Sequence, residues 1–408
     1  MNYDVVVIGG GPAGMFSAII AAERGNRVLL LERNERLGKK LLITGKGRCN
    51  VTNDCDAGEV LQNIPRNSRF LYSALTAFPP KSMMNFLQQR GCPLKTERGN
   101  RVFPVSDRAS SVLECLQKEL RRLHVTVQTG RVKRILTQDG KVTGVALEKQ
   151  TVPAAQVILA TGGLSYPTTG STGDGFSIAR ELGHTVTPTE GSLVPLEILG
   201  EDCPRMQGLS LRNVGVKLLN EKGKVLFKDF GELLFTHFGV SGPTVLSASA
   251  HLKGEHCRLV IDLKPALEEG KLNDRILRDL SMYQNRSMEN ALTDLLPRSM
   301  IPVVLERLGI DSNMQANSLN KQKRAELVAL LKGFSLEITG KRPVIEAIIT
   351  SGGVKVSEID PKTMESKIVE GLYFAGEVID CDAYTGGFNL QIAWSTAYAA
   401  GLAVKKTH

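Results

Sequence analysis

The chain opens on VVVIGGGPAG, an apolar run that breaks into Gly9-x-Gly11-x-x-Gly14. A short uncharged run bounded by glycine is the pattern of a strand buried on both faces in a parallel sheet. The residues after the turn, MFSAIIAAERG, read as a helix. RVLLLE then reads as a second buried strand, and it ends at Glu32, 18 residues beyond Gly14. Parallel strands need a crossover, and a strand–turn–helix–strand unit supplies one. Glycines let the backbone turn sharply and approach a pyrophosphate, and the helix N-terminus presents free N–H groups and partial positive charge. An acid at the end of the second strand accepts ribose hydroxyls. The spacing therefore predicts a Rossmann-like α/β domain that binds a dinucleotide through Gly9, Gly11, Pro12, Ala13, Gly14 and Glu32.

Two further segments indicate how long that ligand is. AAQVILATGG (154–163) is an apolar strand that opens into a second glycine turn at Thr161 and Gly162. GLYFAGEVID (371–380) is another, ending at Gly376 and Glu377, and GGFNLQIAWSTAYAAG after it reads as a glycine-started C-terminal helix. Anchors so far apart in the chain suit FAD. In order, GGGPAGM, GKKLLITGKGRCNVTN, ATGG, LLFTHFGVSGP, EAIITSGGV with IDPKTMESK, and GLYFAGEVID with GGFNLQ span nearly the whole chain. Together they resemble the BaiN/YhiN-type NAD(P)/FAD-dependent oxidoreductases, a bacterial flavoprotein family. More distantly, ITSGGV (349–354) is similar to the Thr-x-Gly-Gly turn of fumarate-reductase-like flavoproteins, which lies near flavin and substrate. Those enzymes usually carry a substrate-binding His just before the turn, where this chain has Ala347, Ile348 and Ile349.

The resemblance implies a split Rossmann-like FAD-binding domain with an inserted antiparallel β-barrel and a small helical insert. The sequence texture agrees. Residues 1–190 and 340–408 read as the FAD domain, 191–265 as short strands with polar turns, and 266–339 as short charged helices poor in glycine.

The stretch LLITGKGRCNVTN (41–53) is too polar for a core. By the resemblance it runs along the flavin half of the cofactor. Gly45 and Gly47 would allow close backbone approach, while Lys40 and Arg48 would face phosphate or the flavin's polar edge. Asn50 offers a donor and an acceptor to ring atoms. Cys49 has no partner at CxxC spacing and reads as a packing residue beside the flavin. Arg33, Thr44 and Val132 are counted with the cofactor contacts. Glu377 would take the ribityl chain, with Asp380 and Asp382 capping the turn. A helix starting at Gly387 would aim the N–H groups of Phe388, Asn389 and Leu390 at negative charge on reduced flavin. Weaker candidates for substrate contact are Tyr166, His237, Gly352 and Gly353. His237 follows an apolar strand and precedes a Gly/Ser/Pro turn, and no general acid or base is assigned.

Composition narrows the partners. The formal charge of +9 leans toward an anionic partner without choosing one. Aromatics total only 5%, and no basic run is interleaved with them, so nucleic acid is not expected. Seven scattered cysteines and six histidines show no metal-binding spacing, which argues against zinc and against a disulfide framework. The apolar start lacks the basic region of a signal peptide, carries Asp4 and is broken by three glycines, and no apolar run is long enough to cross a membrane, so a cytoplasmic chain is expected. No second GxGxxG follows a strand, so NAD(P)H, where used, would dock transiently as a co-substrate. The resulting expectation is an FAD-dependent oxidoreductase moving two electrons between flavin and a small organic substrate, with NAD(P)H as donor or O2 as acceptor. The alternatives are an RNA-modifying flavoprotein and a protein in which FAD is not catalytic.

Overall fold

The computed structural model describes residues 3–252 and 256–406. His408 lies outside them. Strands β1 (Val5–Ile8), β2 (Val28–Glu32), β3 (Thr126–Thr129), β4 (Val157–Leu159) and β5 (Leu372–Phe374) form a parallel sheet in the order β5-β4-β1-β2-β3. Val7 stands between Leu30 and Ile158. All of these strands but β3 are fully buried, which is why they read as unbroken apolar runs. TVQT forms the solvent-facing edge at β3.

Two helices seal one face. Helix α1 (Pro12–Glu23) follows the first glycine turn, and α2 (Phe388–Ala403) closes the chain. Both are apolar around most of their circumference, as buried helices must be. They approach closely because Gly401 has no side chain: a Cβ there would stand 2.7 Å from Ser17 O. Trp394, fully buried on α2, donates its indole N–H to Val51 O at 2.9 Å and so ties the helix to the segment after β2.

The chain leaves this unit after Ser192 and re-enters it at Val344. Residues 193–343 form a second compact unit around a closed barrel. Its strands are Leu196–Ile198, Ser210–Asn220, Val225–Thr236, Gly239–Ser241, Cys257–Asp262 and Phe334–Lys341. The last of these was expected within the helical stretch 266–339. The helices, Glu269–Met282 to Lys321–Lys332, are instead nested between the fifth and sixth barrel strands. FSLEITGK carries the period-two alternation of a half-buried strand, and its inward residues Phe334, Leu336 and Ile338 complete the barrel core.

Candidate functional site

The sheet order reverses between β1 and β4: the chain runs outward through β2 and β3, then returns to the other side of β1. Ligands of open parallel sheets bind outside the carboxyl ends of the strands at such a switch point. The main cleft of the first unit lies there, lined by residues that directly follow β1, β2, β4 and β5. It is open to solvent and spans about 1360 Å³ of space, solvent included.

At one end, the glycine turn is shaped by its own backbone. Gly9 has φ 105°, and a Cβ there would meet Ala160 O at 2.5 Å; one on Gly14 would meet Gly9 O at 1.7 Å. A Cβ on Gly11 would meet nothing within 4 Å. Gly11 is the N-cap of α1 and makes no side-chain cap, and the first turn holds no acidic residue. The helix therefore offers the cleft unpaired N–H groups and positive potential. Glu32 ends β2 with both oxygens engaged: Oε2 accepts from Gly10 N at 2.7 Å, and Oε1 from Asn34 N at 2.8 Å and Asn34 Nδ2 at 2.7 Å. Beyond it, Arg33 Nη1 donates to Thr172 Oγ1 at 2.5 Å and pairs with Asp174, which Arg131 also holds.

Toward the other end, Glu377 is held by three groups. Lys40 Nζ pairs with its Oε2 at 2.5 Å, and Ser165 Oγ and Thr350 N each donate to its Oε1 at 2.9 Å. Lys40 Nζ also donates to Ser165 Oγ at 2.6 Å. Thr350 Oγ1 in turn accepts from the N–H groups of Leu164 and Ser165, which fixes the glycine turn after β4. Thr161 Oγ1, on the cleft wall, is buried without a hydrogen-bond partner.

Of the residues singled out from sequence, Gly9, Gly11, Pro12, Ala13, Glu32, Arg33, Lys40, Thr44, Val132, Thr161, Gly162, Gly376, Glu377, Asn389 and Leu390 line this cleft. Gly14, Gly45, Gly47, Arg48, Cys49, Asn50, Gly387 and Phe388 do not. Lys40, read as facing phosphate or flavin, is paired with Glu377. Arg48, read the same way, pairs with Glu97 and Asp107 and lies 4.2 Å over the Phe103 ring. Cys49 is fully buried with φ 61°, and burial pushes its thiol up to about 12. Asn50 keeps a buried, unpartnered Oδ1, as does Asn53 three residues on. Gly387 has φ 101° as the N-cap of α2, and its missing Cβ makes room for Thr52: a side-chain carbon would stand 2.4 Å from that carbonyl. Asn389 turns its side chain onto Ala383 N and O. Asp380 and Asp382, read as turn caps, are buried and face Arg66, Ser351 and Ser192.

The weaker candidates sit elsewhere. Gly352 and Gly353 have positive φ and would collide with Pro188 O and Val378 O if they carried side chains. Tyr166, half-buried at φ 53°, starts the short turn Pro167–Thr169. His237 belongs to the second unit, is exposed, and packs edge-on to Phe238 at 5.0 Å. Residues that sequence reasoning passed over are Asn34, Arg131 and Asp174. Only Asn34 left a local signal, an Asn two positions after the strand-ending acid. Among the described residues no group of three or more His, Cys, Asp or Glu side chains is placed to hold a metal ion, and no helix is long and apolar enough to cross a membrane.

The donor set fits FAD. The uncapped helix suits a pyrophosphate, the remaining acceptor capacity of Glu32 suits a ribose hydroxyl, and the orphaned Thr161 hydroxyl is a polar contact awaiting a partner.

Comparison with known proteins agrees with this geometry. A family model described as HI0933-like protein Rossmann domain matches residues 3–403. The chain is 34% identical over 409 residues to a 3-dehydro-bile acid delta(4,6)-reductase of Clostridium scindens, covering 97% of this chain and 98% of that protein. It is 32% identical over 404 residues to a ribosomal RNA dihydrouridine synthase of Escherichia coli, covering 98% and 97%. Among solved structures, a 3-ketosteroid delta1-dehydrogenase from Sterolibacterium denitrificans shares the fold, with a TM-score of 0.52, 13% identity and 98% of each chain covered.

Proposed function

The chain belongs to the HI0933-like protein Rossmann domain family and is an FAD-dependent oxidoreductase; from that premise we propose that it saturates a carbon–carbon double bond conjugated to a carbonyl in a small apolar substrate, with NAD(P)H as electron source. One observation carries the reading. Two nearly full-length relatives have unrelated substrates but one chemistry: the first name describes reduction at positions 4 and 6 of a 3-oxo compound, the second the ring-saturated form of uridine. A fold hosts many reactions, so the likeness in architecture adds nothing to the choice of reaction.

The residues have the following roles in this reading. The α1 N-terminus and Glu32 bind the adenosine diphosphate half of FAD, and Lys40, Ser165 and Thr350 hold Glu377 for the ribityl side. The N–H groups of the first turn of α2, where Asn389 and Leu390 line the cleft, place positive potential at the flavin end. Bound FAD supplies a carrier for two electrons taken and given as hydride. Val344, Ile345 and Ile348 are exposed, and Ile348 lines the cleft; an exposed apolar cluster beside a cleft suits an apolar substrate.

The relative that acts on ribosomal RNA supports a second reading, in which the substrate is uridine in RNA. One experiment separates the two. Purified protein is scanned for flavin absorbance, reduced anaerobically with NADH or NADPH, and offered either a 4-en-3-one steroid or ribosomal RNA. Reoxidation by the steroid supports the first reading, and reoxidation by RNA replaces it with the second. A bound flavin that neither nicotinamide reduces removes NAD(P)H from the scheme.

A further inference from the structure

Four cations line the cleft, and three of them are tied to its carboxylates. Arg33 and Arg131 share Asp174, at 3.2 and 2.8 Å. Lys40 is paired with Glu377 at 2.5 Å. Lys39 is the exception. It is half-buried on the cleft wall, and among the described residues it forms no ion pair. Its Nζ donates to Asn34 Oδ1 at 3.3 Å.

The backbone places Lys39 at the glycine turn. Gly38 N donates to Gly10 O at 2.9 Å, and the Leu37 side chain packs so closely over the turn that a Cβ on Gly10 would stand 2.3 Å from its Cδ2. Lys39 therefore follows a residue bonded directly to the loop that leads into α1.

Asn34 explains why Lys39 does not fall onto Glu32. Its Nδ2 donates to Glu32 Oε1 at 2.7 Å, while its Oδ1 accepts from Lys39. The amide stands between the two opposite charges. A direct pair would occupy both of them. Held apart, Glu32 keeps an acceptor position for a ligand. An ammonium has three N–H donors, so Lys39, with one of them on Asn34, keeps two and a full positive charge.

A pyrophosphate at the α1 N-terminus carries a negative charge on each phosphorus, and the helix supplies only about half a unit of positive charge. A cation is needed beside it, and the other three are committed elsewhere. We propose that Lys39 binds the pyrophosphate of FAD, a role that the sequence suggests for Lys40. The assignment rests on the reading that the α1 N-terminus and Glu32 hold the adenosine diphosphate half. Asn34 is then a positioning residue: it keeps the phosphate-binding charge and the ribose-binding charge from neutralising each other.

The test uses apo-protein of the full chain as wild type, Lys39→Gln, Lys39→Arg and Lys40→Gln. Each is titrated with FAD by flavin fluorescence and with ADP by calorimetry, at low and at high salt, with apo melting temperature as the control. ADP has the pyrophosphate and lacks the ribityl chain. Lys39→Gln should lose roughly 10- to 100-fold in affinity for both ligands, the worth of a charge-assisted hydrogen bond. Lys39→Arg should recover most of that loss. Lys40→Gln should weaken FAD, through Glu377, and bind ADP as wild type does. Salt should weaken ADP binding more in wild type than in Lys39→Gln, because screening acts on an attraction the variant no longer has. Wild-type ADP affinity in Lys39→Gln overturns the proposal and leaves the reading of the cleft intact. Equal losses of ADP binding in Lys39→Gln and Lys40→Gln overturn it as well, since the cleft would then respond to its total charge and not to this position. A wild-type chain that binds FAD but not ADP overturns the reading of the adenosine end, and the proposal with it.

Discussion

Glu32 provides the sharpest test of the cofactor cleft, because its hydrogen bonds can be counted. A carboxylate offers about four lone-pair positions. Three are taken by protein donors: Gly10 N on Oε2, and Asn34 N and Nδ2 on Oε1. One position, on Oε2, remains for a ribose hydroxyl. In Glu32→Gln the amide oxygen can still serve the two Asn34 donors, which turns the amide nitrogen toward Gly10 N–H. The buried Gly10 donor is then unpaired, at a cost of about 1–3 kcal/mol to the apo-protein, and the charged acceptor for the ribose is lost, worth about 1.5–3 kcal/mol. At about 1.4 kcal/mol per decade, FAD affinity should fall roughly 10- to 150-fold. The assay is titration of apo-protein with FAD by flavin fluorescence, alongside urea unfolding of the apo form. If the variant binds FAD as tightly as wild type, the ribose is not at Glu32 and the assignment of the adenosine end fails.

Gly387→Val should destabilise the apo-protein by about 1–3 kcal/mol or more, since φ 101° is unfavourable for valine and Thr52 blocks the side chain; an unchanged apo melting temperature with lost FAD would show that the crowding comes from the cofactor instead. His184 is buried between Ser366 and Phe374, and burial depresses its basicity despite Glu358. The unfolded chain therefore takes up this proton first, so stability is full above the ordinary histidine range and drops as pH falls from about 7 to 5.5. In His184→Gln that slope should be shallower, and an unchanged slope in thermal melts over the same range would assign it to other groups. Cys49, with its thiol pushed up to about 12, should resist thiol reagents at pH 8 in the native protein, and Cys49→Ala should leave flavin reduction by NAD(P)H unchanged; slowed reduction in that variant would restore a redox role.

The parallel sheet is legible in the sequence because strands buried on both faces must be apolar at every position, and VVVI, VLLLE, VIL and LYF obey that rule without help from distant residues. Charged residues are a different matter. Lys40 and Arg48 read as cations in search of an anion, and each has found one within the chain. Glu377 lies 337 positions from Lys40, and Glu97 and Asp107 lie 49 and 59 positions from Arg48. A sequence displays the charge, but only the fold selects its partner. Burial is equally invisible: the Asp-x-Asp of residues 380–382 looks like a pair of surface caps, and the deep position of Asp382 follows from strand pairings that no local pattern records. The sixth barrel strand escaped for the opposite reason. Its alternation is plain, but it follows directly on the charged helical pattern that ends at Lys332 and reads as part of that helical stretch.

The glycines show where the two kinds of information divide. Every member of the fingerprint could be identified as special from spacing, but spacing does not say what comes close to the missing side chain. At Gly9 and Gly14 it is the protein's own backbone, from Ala160 and Gly9, and at Gly387 and Gly352 it is Thr52 and Pro188. These positions are glycine because the chain packs against itself there. Gly11 faces the cleft with no protein atom within 4 Å of the place a Cβ would take. Steric need within the fold therefore accounts for Gly9 and Gly14 and does not account for Gly11, which is left to approach by a ligand in the cleft. A Gly11→Ala variant separates these explanations: the fold has room for the methyl group, so the apo-protein should melt as wild type does while FAD binding weakens. Loss of apo stability in that variant would return Gly11 to the packing glycines and take from the cleft its most direct mark of a ligand.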